Sequence, residues 1–300
     1  MISKEQFGFN TFWWEQLHGE KEIESCVTCL TDIGYRYVEF KRDSFVQKDL
    51  AAEFKLAAEI TRSAGLEVSN FVILRDLAGG DAKGIDDVVE TIEATRAAGV
   101  SLLNCCFGGM PAPIQPPPED WWMQARPSHG PAWDRLVPAL EKICDAAEKH
   151  DVFMVLEATI GAIVHDFYST QELFRRFDHP RLCLTLDPSH FFLYRNDIPY
   201  AIRELGSKIK HVHVKDAIGV PGTNLDQMFP ILGSGGIDWV AFFGALEEIG
   251  YGQALSGEYE QFKYMAQVLR YDPVAPAQET YQAMRALLDL YRAHVGDGGG

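Results

Sequence analysis

Ionisable side chains end or follow several short apolar segments in the second half of the chain. The residues concerned are Glu157, Asp187, His211, His213 and Glu258. Proteins use carboxylates and imidazoles to move protons near neutral pH and to bind divalent metal ions. If the segments are strands whose carboxyl ends meet, three carboxylates and an imidazole share a space under about 10 Å wide and cannot all stay unpaired and ionised. A divalent cation resolves that conflict, and this oxygen-rich set with one nitrogen suits Mn²⁺, Mg²⁺, Co²⁺ or Zn²⁺.

Alternation of residue types places these groups on one face of their strands. In the sixth predicted strand leucines occupy every second position, so Asp187 lies on the opposite face. In the seventh, the same period sets His211, His213 and Lys215 opposite the intervening valines. The same parity turns the carboxylates of the fifth and eighth strands to that side. The alternation therefore predicts that the ionisable groups point inward at the carboxyl ends of neighbouring strands.

Eight strand–helix alternations run through the chain without a break in composition. A hydrophobic period of two predicts strands at residues 7–12, 35–40, 66–73, 100–107, 152–157, 182–187, 209–215 and 253–258. A period near 3.6 predicts helices at residues 23–33, 50–64, 85–98, 133–150, 170–177, 199–205, 237–249 and 277–291. The pattern predicts an α/β protein with one domain, a closed parallel (β/α)8 TIM barrel. An open doubly wound sheet is the rival, but it would need a glycine-rich phosphate turn after the first strand, where only Gly8 is found.

One long segment without periodicity interrupts the alternation. Residues 108–131 are rich in proline and contain Trp121, Trp122 and His129. A long irregular segment inside a compact domain is usually functional or disordered, and the tryptophans argue against disorder. We expect this loop to be a lid over the site, with a surface or oligomer contact as the alternative. The barrel is predicted to occupy residues 1–295, followed by a flexible tail at 296–300.

The composition argues against nucleic acid and membranes as partners. The 300 residues are 47% hydrophobic, with a net charge of -16 and a pI of about 4.9, so the protein should repel nucleic acid and anionic membranes. The first residues lack an apolar signal core, and no apolar run approaches the ~20 residues of a membrane span, which predicts a cytoplasmic protein. Cys26 and Cys29 form a CxxC without the second pair that a zinc ribbon needs, so we expect them to pack in the core.

These motifs together resemble the xylose-isomerase-like TIM-barrel superfamily, the sugar phosphate isomerase/epimerase family. The resemblance covers nearly the whole chain and is carried by Glu157, DPSH at 187–190, HVHVKD at 211–216, GSGGIDW at 233–239 and SGE at 256–258. It implies one catalytic divalent metal ion, with Mn²⁺ as the first choice, whose ligands are Glu157, Asp187, His213 and Glu258. It also implies that His190 contacts the substrate or the metal.

Two residues of the ketohexose 3-epimerases in this group have no counterpart here. Those enzymes carry a glutamate soon after the fifth-strand ligand and an arginine soon after the seventh-strand ligand. The corresponding regions of this chain read ATIGAIVH at 158–165 and KDAIG at 215–219. This departure argues against 3-epimerisation of free hexoses. The HVHVKD form is similar to that of members acting on keto-inositols, hydroxypyruvate or oxidised glycosides.

The resemblance implies an isomerase or epimerase of a small polyol ketone, a keto sugar or keto-inositol, that works through an enediolate. Glu157 and Glu258 would be its metal-bound acid/base pair. The residues expected to bind substrate are His190, Lys215, His165, Trp13 and Trp122. The nearest alternative on the same site is a lyase or dehydratase, similar to inosose dehydratases or to enzymes that cleave 3-keto-glycosides, including C-glycosides.

Two further classes are less well supported. A hydrolase of the apurinic-endonuclease type would need more inward histidines and a cationic groove, whereas this chain has nine histidines and a charge of -16. A non-catalytic barrel within a larger complex is the other rival, and it would keep its partner after metal removal. A homo-oligomer or a partner subunit is compatible with each of these classes.

Overall fold

Eight parallel strands close into a barrel in the computed structural model, which describes residues 1–46, 48–79, 82–107, 129–220, 227–261 and 264–297. The strands are β1 Phe7–Asn10, β2 Tyr37–Lys41, β3 Glu67–Arg75, β4 Leu102–Phe107, β5 Phe153–Glu157, β6 Leu182–Leu186, β7 Ile209–Val214 and β8 Leu255–Gly257. Each strand pairs with the next along the chain, and β8 pairs with β1, where Phe7 lies opposite Leu255. This is the predicted (β/α)8 TIM barrel, and the open sheet is excluded.

Helices follow the strands along the chain. They are α1 Glu20–Ile33, α2 Leu50–Ser63, α3 Ala82–Ala97, α4 His129–Lys149, α5 Phe167–Arg176, α6 Pro188–Leu193, α7 Ile198–Leu205, α8 Trp239–Glu248 and α9 Val274–Asp297. Every helix predicted from the periodicity is present, with shifted ends. Helix α5 begins three residues before the predicted start because Asp166 caps it, accepting a hydrogen bond from Ser169 N at 2.8 Å.

Among the local elements that were not predicted, two follow strands that lead into the site. Pro188 ends β6 and also begins α6, because proline fits the first turn of a helix. Asp187 caps this helix by accepting a hydrogen bond from Ser189 N at 2.8 Å. A short antiparallel pair, Ile218–Gly219 with Gln227–Met228, follows β7. Helix α6 matters for the site because it carries His190 directly after the end of β6.

One hydrophobic core holds the strands and the surrounding helices together. The alternate leucines of β6, which are Leu182, Leu184 and Leu186, are fully buried in this core, as their spacing predicted. Cys26 lies in the same core, which confirms packing for this cysteine, and Cys29 is half-buried beside it. Among the described residues, no helix combines the length and the apolar character needed to cross a membrane.

The glycine turn after β7 is built around Asp216. The Asp216 carboxylate accepts hydrogen bonds from Gly233 N and Gly235 N, each at 3.0 Å, and from Trp239 Nε1 at 3.2 Å. A Cβ atom at Gly235 would clash with this carboxylate, so the turn requires glycine there. The motif at 233–239 therefore has a structural role, anchoring the start of α8 to the end of the strand that carries His213.

The predicted lid lies almost entirely outside the described residues. Of residues 108–131, only 129–131 are described, and they form the first turn of α4. The lid therefore stays a prediction, as does the role of Trp122. At the other end of the chain, α9 continues to Asp297, past residue 296 where the tail was predicted to begin.

Candidate metal centre

Four ionisable side chains meet inside the barrel at the carboxyl ends of the consecutive strands β5 to β8. Glu157 is the last residue of β5, Asp187 follows β6, His213 lies in β7 and Glu258 follows β8. One ligand atom from each residue lies within 4.8 Å of the ligand atoms of the others. All four residues are at most 9% exposed. The structure thus brings together the residues whose strand-end positions indicated a common site.

The donor set fits a divalent cation. His213 Nδ1 lies 3.2 Å from Glu157 Oε1 and 3.4 Å from Glu258 Oε2, so a ring nitrogen and two carboxylate oxygens converge. Asp187 adds a third carboxylate within the same 4.8 Å. Oxygen donors combined with one imidazole nitrogen are a set that Mn²⁺, Mg²⁺, Co²⁺ and Zn²⁺ accept. By the chemistry of these donors, the four residues could hold one such ion.

Lys215, which we expected to bind substrate, lies among the same carboxylates. Its Nζ donates to Glu258 Oε2 and to Glu260 Oε2, each at 2.7 Å, and lies 2.8 Å from Asp187 Oδ2. The ammonium also lies 4.7 Å from the centre of the Phe229 ring. Burial alone would lower the pKa of Lys215, but the surrounding carboxylates raise it well above its usual value. The lysine is therefore a fixed cation within the site.

These ion pairs keep the neighbouring carboxylates ionised. Burial acts to raise the pKa of Glu258, but Lys215 and His213 bring it down to about 2. Burial and Lys215 oppose each other in the same way at Asp187, and its pKa also lies below its usual value. For Glu260 burial dominates, so its pKa rises to about 7 despite Lys215. The cluster combines carboxylates that stay charged with one that titrates near neutrality.

His190 lies on α6 beside these carboxylates. Its Nε2 is 3.4 Å from Asp187 Oδ2 and 3.8 Å from Glu157 Oε1, and its Nδ1 accepts a hydrogen bond from Ile160 N at 3.3 Å. Burial is the main cause that lowers the pKa of His190. The ring is therefore neutral, and its proton on Nε2 points toward the carboxylates.

A buried carboxylate below the site was not recognised from the sequence. Glu39 in β2 is fully buried, with Oε2 2.8 Å from His211 Nε2 and Oε1 3.0 Å from His213 Nε2. Burial opposes ionisation of Glu39, but the two imidazoles hold its pKa well below the usual range. Burial likewise opposes protonation of His213, whose pKa is raised well above its usual value by Glu39 and then Glu157. The signal in the sequence was an acidic residue between Val38 and Phe40 in a predicted strand.

Two neutral donors that the sequence analysis missed also contact the proposed ligands. Asn10 Nδ2, at the end of β1, donates to Glu258 Oε1 at 3.2 Å. Cys106 Sγ, near the end of β4, donates to Glu157 Oε2 at 3.0 Å. Each donor therefore engages a carboxylate that comes from the other half of the barrel. Their types and positions alone gave no sign of these contacts.

Trp13 packs beside the site as a buried side chain. It is 7% exposed, and its Nε1 donates to Tyr259 O at 2.6 Å, one residue beyond Glu258. Its ring lies 5.2 Å from the Phe12 ring and 6.0 Å from the Tyr271 ring, measured between centroids. Trp13 thus packs against the segment that follows Glu258.

His165 and Trp122 complete the set of predicted substrate residues. His165 lies in the loop after β5, where its Nδ1 is 2.9 Å from Ala162 O. Its ring lies 4.5 Å from the Tyr194 ring. Trp122 lies outside the described residues.

The closed parallel barrel with ionisable groups at the ends of β5 to β8 places the chain among the TIM-barrel proteins with a site at the carboxyl ends of the strands. Comparison with known proteins identifies the family. The family model described as "xylose isomerase-like TIM barrel" matches residues 29–289. The chain therefore belongs to the xylose isomerase-like TIM barrel family. This match agrees with the resemblance that the motifs indicated.

Curated relatives include a sugar epimerase and inosose enzymes. The chain is similar to an L-ribulose 3-epimerase of Mesorhizobium japonicum, with 24% identity over 262 residues that cover 84% of this chain and 80% of that protein. It is also similar to an inosose isomerase of Bacillus subtilis, with 30% identity over 134 residues. An inosose dehydratase of Lacticaseibacillus casei is 26% identical over 141 residues. The two inosose matches each cover 43% of this chain and 47% of the relative.

Solved structures share the fold. A structure of L-ribulose 3-epimerase matches with a TM-score of 0.74 and 21% identity over 98% of both chains. A D-allulose 3-epimerase from Methylomonas sp., in complex with D-allulose, matches with a TM-score of 0.68 and 16% identity over 95% of this chain and 98% of that chain. These likenesses establish a common barrel.

Proposed function

We propose that this protein is a divalent-metal-dependent epimerase or isomerase of a keto sugar or keto-inositol that works through an enediolate. The observation that carries this proposal is the meeting of three carboxylates and one imidazole within 4.8 Å at one end of the barrel. Relatives named as an epimerase of L-ribulose and an isomerase of inosose support the same class of reaction.

The proposed metal ligands are Glu157, Asp187, His213 and Glu258. Mn²⁺ is the first candidate, with Mg²⁺, Co²⁺ and Zn²⁺ as the others. When bound, such an ion supplies Lewis-acid polarisation of a substrate carbonyl and electrostatic stabilisation of the enediolate. The burial of the donors supports this role, because electrostatic interactions are stronger where water is excluded.

Glu157 and Glu258 are the proposed acid/base pair. They come from the two outer strands of the four, and His213 Nδ1 lies 3.2 Å and 3.4 Å from their nearest oxygens. In this mechanism one carboxylate takes the proton from the carbon next to the carbonyl, and the other returns a proton. Return to the opposite face of the same carbon gives an epimer, whereas return to the neighbouring carbon gives an isomer.

Lys215 and His190 are the proposed residues that orient substrate oxygens. Both residues are 2% exposed, and Lys215 Nζ lies 3.5 Å from His190 Nε2. Each of these nitrogens carries a proton and lies close to the carboxylates. We propose that Trp13, His165 and Trp122 extend the pocket and that the loop at 108–131 is its lid. We also expect a cytoplasmic protein that acts on a small molecule and not on nucleic acid or membranes, as a homo-oligomer or with a partner subunit.

A lyase or dehydratase is the second candidate. The observation that favours it is the similarity to an inosose dehydratase, 26% identical over 141 residues. Both reactions begin with removal of a proton next to a carbonyl, so the same carboxylates would start either one. The reactions differ in the next step, where the lyase expels a substituent from the neighbouring carbon instead of returning a proton.

Mass spectrometry in D₂O tests the proposal. The panel contains L-ribulose, D-allulose, a keto-inositol, hydroxypyruvate and a 3-keto-glucoside, each incubated with Mn²⁺ or with a chelator. We expect deuterium incorporation into at least one ketone with an unchanged carbon skeleton, and we expect the chelator to abolish it. Loss of water or of an aglycone would instead identify the lyase. The absence of exchange with every ketone in protein that contains metal would contradict the proton-transfer mechanism.

A further inference from the structure

A buried carboxylate that the proposed reaction does not use lies directly below the site. Glu39 Oε1 is 3.0 Å from His213 Nε2, and Glu39 Oε2 is 2.8 Å from His211 Nε2. Asn104 Nδ2 donates to Glu39 Oε1 from a third side at 3.4 Å. A buried carboxylate is costly unless its oxygens are hydrogen-bonded, so these contacts explain how Glu39 is tolerated. They also give it a direct contact with a proposed metal ligand.

The contact with Glu39 determines which nitrogen of His213 is available to the site. An ionised carboxylate only accepts hydrogen bonds, so His213 must present Nε2 with its proton to Glu39. Nδ1 then faces Glu157 at 3.2 Å and Glu258 at 3.4 Å. In the neutral ring that a metal requires, the lone pair is on Nδ1, on the side of the carboxylates. Histidine ligands are commonly oriented in this way through their other ring nitrogen.

His211 shares the same carboxylate and provides an internal comparison. Its ring is fully buried and lies 5.2 Å from the His213 ring, nearly perpendicular to it at 88°. The Asn70 amide is 3.1 Å from His211 Nε2, so this ring has a second partner. Replacing His211 removes one contact of Glu39 and leaves the contact with His213 available.

We infer that Glu39 is a positioning residue that fixes the His213 ring with Nδ1 toward the carboxylates and thereby sets the affinity of the site for its divalent ion. This inference rests on the proposed metal site. Glu39 touches neither the metal nor the substrate in this account. If Glu39 only stabilised the fold, replacing it would weaken metal binding by the same factor whether or not His213 is present.

Calorimetric titration of Mn²⁺ into metal-stripped protein tests the inference. The proteins compared are the wild type, Glu39→Gln, His213→Asn and the double variant. Glutamine keeps the size of the side chain but has only one acceptor oxygen for two imidazoles. We expect Glu39→Gln to weaken Mn²⁺ binding by about 10- to 100-fold and to add less than about twofold in the His213→Asn background. Equal losses in both backgrounds would overturn the inference.

His211→Gln is the matched control in the same titration. It removes the other partner of Glu39, so we expect it to weaken Mn²⁺ binding less than Glu39→Gln does. An equal or larger loss would mean that Glu39 does not act through His213. If wild-type protein binds no metal, the proposed function fails and this inference fails with it. If the wild type binds metal and Glu39→Gln binds it equally well, only the role of Glu39 fails.

Ring-nitrogen NMR gives a readout that does not depend on activity or affinity. In protein labelled with ¹⁵N-histidine and loaded with diamagnetic Mg²⁺ or Zn²⁺, we expect His213 to carry its proton on Nε2. Glu39→Asp keeps the charge but shortens the reach, so it should shift this signal even if Glu39→Gln folds poorly. A His213 signal that is unchanged in Glu39→Asp would contradict the inference.

Discussion

The two halves of the barrel carry different chemistry in their interiors. Strands β5 to β8 and the residues just after them supply the carboxylates and the imidazole of the proposed metal centre, together with Lys215. The interior polar groups of β1 to β4 include Asn10, Glu39, Asn70, Asn104 and Cys106. Hydrogen bonds join the halves, as from Asn10 to Glu258 and from Cys106 to Glu157. One half would bind and react, and the other would hold the reacting groups in place.

This difference shows how a symmetric fold can support an asymmetric site. The donors from β1 and β4 are neutral, so they can orient the carboxylates without adding charge to the place of the cation. Losing a hydrogen bond from a neutral donor to a carboxylate also costs less than losing one partner of a buried ion pair. Variants of the proposed metal ligands in the half from β5 to β8 should therefore cause the largest losses, whereas loss of a neutral donor from the other half should weaken function by the value of one hydrogen bond.

Glu157→Gln and Glu258→Gln should give the largest effects. An amide cannot take up and return a proton, so each change should lower turnover by about 10³-fold, within the 10²–10⁴-fold typical of general acid–base catalysis. Initial rates with the ketone identified in the exchange assay would measure this at saturating Mn²⁺. Glu59→Gln, in an ion pair on α2 where Glu59 is 55% exposed, should keep the full rate. A loss below about tenfold in both site variants would contradict their roles.

Lys215→Met should strongly destabilise the metal-free protein. The change leaves the carboxylates of Asp187, Glu258 and Glu260 without their ammonium, and losing one partner of a buried ion pair costs about 3–5 kcal/mol. Because Mn²⁺ restores positive charge, the metal should stabilise this variant more than the wild type. Denaturant unfolding with and without Mn²⁺ measures both effects.

Lys208→Met is the matched control for that comparison. Lys208 pairs with Asp178 at 2.7 Å, but the Asp178 side chain is 74% exposed. An exposed pair of this kind contributes less than about 1 kcal/mol, and the added stabilisation by Mn²⁺ should equal that of the wild type. Equal destabilisation by the two lysine variants would show that Lys215 is not a buried structural cation.

Asn10→Ala should have a moderate effect from the other half of the barrel. It removes the donor to Glu258 Oε1, and a hydrogen bond to a charged group is worth about 1.5–3 kcal/mol. We expect kcat/KM to fall about 10- to 150-fold. Asn196→Ala removes an acceptor for Phe167 N, an amide contact at the start of α5, and should leave kcat/KM within about twofold. A 10³-fold loss in Asn10→Ala would erase the distinction between the halves.

Cys106→Ala should have the smallest effect. A thiol is a weak donor, so its bond to Glu157 Oε2 should contribute about 1 kcal/mol, or about fivefold in kcat/KM. Cys106→Ser keeps a donor and should lose less than Cys106→Ala. Steady-state kinetics on the two variants measure the difference, with Cys29→Ala on α1 as a control. If serine and alanine behave alike, the hydrogen bond does not matter for Glu157.

The site residues in the half from β5 to β8 were predictable because the face of a strand and the end of a strand can both be identified from local sequence. Alternation with leucine identified the inward face that carries Asp187, and the valines did the same for His213. Proline after Asp187 marked the strand end. That proline also started α6, which the sequence analysis missed because a residue that ends a strand can equally begin a helix.

The contacts that β1 to β4 make with the site were not predictable, because they form only when the barrel closes. Glu39 and His213 are 174 residues apart, and Asn10 and Glu258 are 248 apart. The alternation of residue types indicates which face of a strand a side chain occupies. It does not give the register of that strand relative to a strand that is distant in the sequence. The depth of Glu39 below the site follows only from the assembled register, which includes a shift between Val38 and Glu39 in the pairing of β2 with β3.

The most direct test of this account is the number of divalent ions that the protein binds and the residue on which binding depends. Mn²⁺ would be titrated by calorimetry into the metal-stripped wild type, into Asp187→Asn and into the control Asp178→Asn, whose side chain is 74% exposed. The account predicts one Mn²⁺ per chain in the wild type and the control, and a loss in Asp187→Asn beyond the ~10–100-fold caused by removing a residue that only orients a ligand. A wild type that binds no Mn²⁺, or an Asp187→Asn protein that binds it as the wild type does, would contradict the proposed metal centre.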